Sequence, residues 1–515
     1  MDRTDATGTP IKPGKSSQKT SLSSAILEAA LDRSGTSTKT GLRNLPAELL
    51  QEIIRRVASG SAGDTAAGLH ALMLSNRFLK ASVLNGKSVK EHYLFLQPLI
   101  GSFKALKPQL PIHEINSQML ALMGPKQRQE QVTAVLGLAH ELEKAYAIAR
   151  LGAGLAALER SQQEALVTAA LGLTDERHKA WALAGLGAGL AALEPKQQED
   201  LVTAALGLTS SRNKAQAIAG LGAGLAALER SQQEDLVTAA LGLTSSRNKA
   251  QAIAGLGAGL AALERSQQEA LVTAVLDLAE DWQKSEAIAG LGPGLAHLSE
   301  SQREELVTAA LGLADEGRKA EAIAGLGAGL AHLSESQREE LITAALGLSD
   351  EGRKAGAIAG LGAGLAHLSE SQREELITAA LGLSDEGRKA QAIAGLGAGL
   401  AHLSESQQKA LVTAAFDLTS ELLKAQAIAG LGAGLAALER PQQQKLVTAA
   451  LGLAEGFQKT WAIAGLGAGL AHLSESQQQA LVTAALGLAD GWHKARAIAG
   501  LVNGYQASRV RGYLR

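Results

Sequence analysis

The sequence LSESQREELVTAALGLADEGRKAEAIAGLGAGLAH, residues 298–332, recurs with small changes along most of this chain of 515 residues. Eleven copies of 35 residues follow one another without a gap. They begin at Met123, Leu158, Leu193, Leu228, Leu263, Leu298, Leu333, Leu368, Leu403, Leu438 and Leu473. Self-similarity at this period is typical of arrays in which each unit packs only on its neighbours.

Positions within a copy are numbered 1 to 35 from its first residue. A first helix is predicted from about position 3 to position 16, because apolar residues at 9, 10, 13, 14 and 16 share one face. Ser299 and Gln302 form an S-x-x-Q capping box at its start. Asp, Glu or Ser at position 18 is the candidate N-cap of a second helix, with apolar residues at 26, 29 and 33.

Glycines at positions 28, 30 and 32 predict a close approach of neighbouring helices, since glycine otherwise costs about 1 kcal/mol in a helix. Pro293, in GLGPGL, predicts a bend or break there and leaves three short helices per copy open. The predicted fold class is all-α, with an α-solenoid of eleven two-helix repeats over residues 123–507 and a tail over 508–515. With helices 8–10 Å apart, such an array extends about 100 Å before curvature.

The composition excludes several kinds of site. The chain has no cysteine, which rules out disulfides, thiolate zinc sites and cysteine nucleophiles. Residues 123–515 contain 34 Lys+Arg and 42 Asp+Glu, a balance that disfavours binding to nucleic acid. No membrane span, metal or cofactor is expected, and because polar groups inside the repeats are duplicated, we expect no single active site and no enzyme.

Two variable positions stand out against the constant framework. Positions 20 and 24, one turn apart on the second helix, carry all four tryptophans of the chain. Drift among duplicated copies does not favour tryptophan, so these positions predict a protein-binding surface; burial of the rings between repeats is the alternative. The candidate partner-binding residues are Tyr146, Trp181, Trp282, Leu422, Phe457, Trp461 and Trp492.

Position 22 is lysine in every copy, and position 35 is histidine in five. The lysine pairs with an acidic position 18 on the same helix or, alternatively, contacts phosphates, as in a repeat-by-repeat reader of nucleic acid. The histidines recur once per repeat, which is too far apart to share one metal ion.

Residues 349–362, SDEGRKAGAIAGLG, resemble the start of the second helix in HEAT-like repeats. This resemblance covers about 385 residues and implies a scaffold for protein interactions. The first helix, LSESQ…LVTAALGL, also resembles the repeats of transcription-activator-like effectors, which read DNA.

A different segment precedes the array. LRNLPAELLQEIIRRV at 42–57 and LHALMLSNRFLKASVL at 69–84 resemble the F-box and define a helical module over residues 41–122. The resemblance implies docking on the Skp adaptor of a cullin–RING ubiquitin ligase; a cap for the solenoid is the alternative. The residues that carry this role are Leu45, Pro46, Leu49, Ile53, Val57 and Phe78.

Residues 1–40 are rich in Ser and Thr and are predicted to be a disordered leader. This leader, the F-box-like segment and the near-identical repeats together resemble type III effectors of plant-associated bacteria. The resemblance implies secretion into the cytoplasm or nucleus of a host cell. The hypothesis is an F-box adaptor that recruits an unknown host protein to the ligase; the alternatives are a scaffold without that link and, less favoured, a nucleic-acid binder.

Overall fold

A computed structural model of the chain describes residues 87–513. The chain divides into two compact units, one of residues 1–60 and 65–95 and one of residues 61–64 and 96–515. Within 87–513 all regular structure is helical, which confirms the predicted all-α class. No helix in this part of the chain is both long and apolar enough to cross a membrane. The F-box-like residues Leu45, Pro46, Leu49, Ile53, Val57 and Phe78 lie outside the described residues.

Each repeat contains an A helix, a B helix and, in repeats 1–10, a 3-10 segment that follows the B helix. The A helices are Pro125–Leu136, Arg160–Leu171, Pro195–Leu206, Arg230–Leu241, Arg265–Leu276, Glu300–Leu311, Glu335–Leu346, Glu370–Gly382, Glu405–Asp417, Arg440–Gly452 and Glu475–Gly487. The B helices are Glu141–Leu151, Glu176–Leu186, Ser211–Gly222, Ser246–Leu256, Asp281–Leu291, Glu316–Leu326, Glu351–Leu361, Glu386–Leu396, Glu421–Leu431, Phe457–Leu466 and Gly491–Tyr513.

The 3-10 segments are the third element that the sequence left open. They are Gly152–Ala157, Gly187–Ala192, Leu225–Ala227, Gly257–Ala262, Gly292–His297, Gly327–His332, Gly362–His367, Gly397–His402, Gly432–Ala437 and Gly467–His472. Pro293 is the second residue of its segment, where a missing N–H costs little. Before the first repeat come Lys87–Leu106, two 3-10 turns at Lys107–Gln109 and Ile112–Glu114, and a short helix, Ser117–Leu120.

The predicted helix caps are present. Ser299 Oγ accepts from the Gln302 amide at 3.2 Å, and Gln302 Oε1 accepts from the Ser299 amide at 2.7 Å. The Asp315 side chain, at position 18, accepts from the Arg318 amide at 2.9 Å and caps the B helix. These bonds satisfy amides that a helix start leaves without partners.

The side chain at position 6 forms hydrogen bonds with the backbone at the end of the preceding repeat. Gln408 is 7% exposed, and its Nε2 donates to the carbonyls of Leu400 and Leu403 at 2.9 and 3.0 Å. Other repeats place Gln or Arg there with the same pair of carbonyls as acceptors, for example Arg338 Nη1 toward Leu330 and Leu333. The position-6 side chain of most repeats therefore adds a second donor to one carbonyl of the 3-10 segment and supplies a donor to the carbonyl that ends it.

The core is a continuous strip of small and medium aliphatic side chains. In repeat 6, Leu306, Val307, Ala310, Ile323 and Leu326 are all at most 2% exposed, and the equivalent residues are buried in the other repeats. These side chains fill a layer between the A and B helices without large rings. This packing accounts for an aromatic content of only 3%.

The B helices pack on one another more closely than the A helices do. A Cβ added to Gly325 would lie 2.7 Å from the carbonyl oxygen of Ala289 in the preceding repeat, and closer still to its Cα. The same holds for the glycine at position 28 of the other repeats from the second onward. The predicted role of these glycines in close approach is confirmed, and the B helices form the tightly curved, concave layer of the array.

The segment before the first repeat continues this packing. A Cβ on Gly154, at position 32 of repeat 1, would meet Ser117 and Leu120; a Cβ on Gly189 of repeat 2 would meet Gly152 and Leu155. The sequence separations, 37 and 34 residues, are the same in both cases. The short helix Ser117–Leu120 therefore occupies the place of one more glycine-rich segment ahead of repeat 1.

The same short helix also contacts the last repeat. Asn503 Nδ2, in the final B helix, donates to the Gln118 carbonyl at 3.1 Å, and a Cβ on Gly491 would lie 3.5 Å from Leu106 Cδ2. Because Ser117–Leu120 contacts both the first and the last repeat, the array within this unit closes on itself as a ring. The sequence predicted a path of about 100 Å before curvature, and the structure adds the curvature, which brings the two ends of that path together.

Candidate functional site

The candidate site is the side of the B helices that faces away from the A helices. At 100° per residue, positions 20 and 24 lie opposite the buried positions 23, 26 and 29. Position 21 borders them, and the small residue at position 31, Ala328 for example, is exposed below them. We call the residues at positions 20, 21 and 24 of the eleven B helices the inner face.

Exposed apolar side chains concentrate on this face. Among the described residues, five large hydrophobic side chains are exposed: Leu142, Tyr146, Leu422 and Phe457, at positions 20 or 24, and Phe416, on an A helix. Their exposed fractions run from 39 to 48%. Four of five exposed hydrophobic residues on one face is the pattern of a binding surface rather than of scattered surface residues.

The four tryptophans are half-buried rather than exposed. Trp181 lies against Tyr146 of the preceding repeat, with ring centroids 5.0 Å apart, and Trp461 lies 5.5 Å from Phe457. The Arg496 guanidinium stands over the Trp492 ring at 5.2 Å and over Phe457 at 5.7 Å. Contacts within the same B helix and, for Trp181, with the preceding repeat hold these indoles in place while part of each stays open to solvent.

The apolar side chains form one sector of the ring. Repeats 9 to 11 and repeats 1 and 2 provide it, and these repeats flank the closing segment Ser117–Leu120. This aromatic sector consists of Leu142, Tyr146, Trp181, Leu422, Phe457, Trp461 and Trp492.

Arginine dominates the rest of the inner face, and the arginines at position 21 belong to a row that the sequence did not identify as part of the surface. The arginine sector consists of Arg177, Arg212 and Arg247 at position 20 and Arg318, Arg353 and Arg388 at position 21. In repeats 6 and 7, where position 20 is glycine, the arginine at position 21 of the next repeat uses the space. A Cβ on Gly352 would come within 2.9 Å of the Arg388 guanidinium.

A cavity of 340 Å³ opens on the inner face across repeats 2 to 5. Trp181 and Trp282 stand at its two ends, and Arg212 and Arg247 lie between them with Gln216, Asn248, Gln251 and Glu286. The Arg247 guanidinium stacks over the Trp282 ring at 5.5 Å. Neither Arg212 nor Arg247 forms an ion pair within residues 87–513, although the Glu286 carboxylate lines the same cavity and interacts with Arg247 through space.

The inner face is positively charged although the array as a whole is acidic. Its three rows contain seven arginines and three glutamates. Burial raises the pKa of the Glu286 carboxyl, and the nearby Glu321 raises it further.

The invariant lysines lie elsewhere. Lys249 lines a groove with Thr273 and Asp277 of the next A helix, on the side away from the inner face. Within the described residues no position-22 lysine forms an ion pair with position 18, where the carboxylate caps the helix instead. The expected pairing along the helix is therefore wrong. The position-35 histidines are exposed, and no cluster of metal-ligating residues occurs among residues 87–513.

The carboxylate at position 19, which the sequence pattern does not single out, links consecutive repeats. Glu351 accepts from the backbone amides of Ser384 and Asp385 of the next repeat, each at 3.0 Å. These bonds, with the Asp385 amide first, hold the pKa of Glu351 below its ordinary value. Glu141, Glu176, Glu316 and Glu386 make equivalent bonds and have lowered pKa values.

No known protein family and no curated protein matches the sequence. Solved structures with partial similarity to this chain include three of low sequence identity. Kap95p, in the structure of its binding to RanGDP, is 14% identical, with a TM-score of 0.35 over 89% of this chain and 67% of that chain. Importin beta is 12% identical, with a TM-score of 0.32 over 85% and 66%. An engineered protein from a structural genomics consortium is 16% identical, with a TM-score of 0.25 over 73% and 98%.

Proposed function

We propose that this protein is a non-enzymatic scaffold that binds another protein through the inner face of its repeat ring. The observation that carries the proposal is the placement of Leu142, Tyr146, Leu422 and Phe457, four of the five exposed large hydrophobics in the described residues, on that face. Aromatic residues and arginine are the side chains that dominate binding energy in protein interfaces. The inner face combines both on helices whose backbones are held rigidly together.

Site-specific photo-crosslinking tests this proposal. A photoreactive phenylalanine analogue replaces Tyr146 or Leu422 on the inner face, and Glu339, exposed on an A helix, serves as the matched control. We expect discrete protein adducts from positions 146 and 422 and none of these adducts from position 339. The same adducts from all three positions, or none from the inner face, would refute a protein-binding role for it.

A link to a ubiquitin ligase is a second proposal, supported by the F-box-like residues Leu45, Pro46, Leu49, Ile53, Val57 and Phe78. Delivery into a host cytoplasm or nucleus by type III secretion belongs to the same proposal. The test is a pull-down of the full chain with a eukaryotic Skp adaptor, with Leu45→Ala/Pro46→Ala as the matched variant. Binding that the double substitution abolishes is expected; equal binding by both chains, or by neither, argues that the segment caps the array.

A further inference from the structure

We propose that the partner segment is an acidic amphipathic α-helix that enters the ring, with its acidic side on the arginine sector and its apolar side on the aromatic sector. The inference rests on the proposed protein-binding function and specifies its partner. It follows from three features of the ring: its closure, its width and the distribution of charge on the inner face.

Closure of the ring restricts the shape of a partner that can reach the inner face. In an open solenoid a folded domain can lie in the concave groove, but the contacts of Ser117–Leu120 with both end repeats close that groove. A partner then reaches positions 20 and 24 only by inserting a terminus or a narrow segment through a mouth of the ring. The partner segment must therefore be slender and long enough to pass along several rows of side chains.

The width suits a helix. Eleven repeats and the closing segment make twelve steps of about 8 Å, the short end of helix spacing that glycine contacts allow, so the B-helix axes lie on a circle about 30 Å across. Subtracting about 5 Å for each helix wall leaves an opening of about 20 Å. A helix of 10–12 Å diameter passes through this opening with about 4–5 Å left on each side, a gap that only long side chains such as arginine and glutamate bridge, whereas an extended peptide would leave much more of the inner face uncovered.

The distribution of charge on the inner face indicates that the partner helix is negatively charged on one side and apolar on the other. Arg212, Arg247 and Arg388 have no ion-pair partner among the described residues, and the amides of Gln216 and Gln251 add free donors beside the first two. Carboxylates supply the acceptors that these groups lack. The aromatic sector, on the repeats that flank the closing segment, matches the apolar side of the same helix.

A binding assay with defined peptides tests the proposal on the full chain. The probe is a fluorescent amphipathic helix of about 20 residues, about 30 Å long, with leucine on one side and glutamate on the other. The controls are the same peptide with lysine for glutamate, a scrambled peptide of identical composition, and a single-stranded RNA. We expect the acidic amphipathic helix to bind at least about tenfold more tightly than every control.

Charge reversal locates the binding. Arg212→Glu/Arg247→Glu, on the inner face, is expected to weaken binding of the acidic helix about tenfold or more. Arg265→Glu/Arg440→Glu, exposed at the starts of A helices, is the matched control and should leave binding unchanged. Preference for the lysine peptide or for RNA, equal binding of the scrambled peptide, or equal loss in both variants would overturn the proposal.

The absence of cysteine allows a direct test of entry into the ring. Ala328→Cys is exposed in the position-31 row inside the ring, and Glu339→Cys is exposed on an A helix. A bulky polyethylene glycol maleimide on Cys at 328 should abolish binding of the acidic helix, and the same label at 339 should not. Binding unaffected by the label at 328 would overturn entry. If positions 146 and 422 crosslink to a protein but the peptide-binding, charge-reversal and labelling tests fail, the protein-binding function stands and only the acidic helix is refuted.

Discussion

Two glycines on one B helix respond in opposite ways to the same substitution. Gly356 and Gly360 lie one turn apart in Glu351–Leu361. A Cβ on Gly356 has its nearest neighbour at 3.7 Å, whereas a Cβ on Gly360 would lie 2.5 Å from the Ala324 carbonyl oxygen and closer still to the Ala324 Cα. Gly356→Ala should therefore stabilise the helix by about 0.5–1 kcal/mol through helix propensity alone.

Gly360→Ala gains the same propensity but must separate two backbones. Ordinary contact begins at 3.4 Å, so the neighbouring B helix has to move by about 1 Å. Overpacking of a filled interior costs about 1–3 kcal/mol, and after the propensity gain of about 0.5–1 kcal/mol the net destabilisation should reach up to about 2 kcal/mol. Equal stabilisation by both substitutions would refute the close approach of the B helices.

Hydrogen exchange is the appropriate assay, because repeat arrays do not always unfold in one step. Exchange is followed by mass spectrometry in peptides from the B helices Glu316–Leu326 and Glu351–Leu361. Gly360→Ala should speed exchange in both helices, since it disturbs their interface. Gly356→Ala should slow exchange in the second helix and leave the first unchanged.

Three further predictions concern the junctions and the surface. The pKa values of Glu316, Glu351 and Glu386 are lowered from 4.5 by bonds to the next repeat, so the stability that they contribute is complete above about pH 4.5 and is lost as the pH falls through their lowered values. The triple change to Gln should flatten this acid limb of the melting temperature against pH, and an unchanged profile would contradict the role of the bonds. Gln408→Leu removes the donor to the buried Leu403 carbonyl, while the Leu400 carbonyl keeps the Leu403 amide as its donor, and the change should cost about 1–3 kcal/mol by urea unfolding, whereas Gln479→Leu on the exposed side should cost little. Trp461→Ala/Trp492→Ala should weaken capture of the crosslinked partner in a pull-down while the helical circular dichroism signal is retained; unchanged capture would exclude the aromatic sector from the interface.

Much of the fold could be predicted from the repeat itself. The spacing of Leu306, Val307 and Ala310, the cap at Ser299 and the position of Asp315 define two helices, and the structure places both where the pattern predicts them. The glycines of GLGAGL indicated close approach, but whether they continue the helix or end it depends on the neighbouring backbone. The structure shows a 3-10 segment, which the sequence had left open.

The closure and the charge of the inner face could not be predicted from one copy. Curvature accumulates from small differences between A-helix and B-helix spacing, and the closing contact joins Gln118 and Asn503 across 385 residues. The arginines at position 21 share a face with those at position 20 only because glycine at 317 and 352 makes room for Arg353 and Arg388. The aromatic candidates were found because tryptophan stands out against drift, whereas arginine does not.

Closure of the ring is the central claim, and a spin-label distance between residues 118 and 503 tests it most directly. Nitroxides on Gln118→Cys and Asn503→Cys are the sole labels in this cysteine-free chain. The closed ring predicts a single short distance, since the Asn503 amide contacts the Gln118 carbonyl at 3.1 Å. An open array of eleven repeats would separate the labels by several tens of ångströms, up to about 100 Å, and a distance in that range would contradict the account.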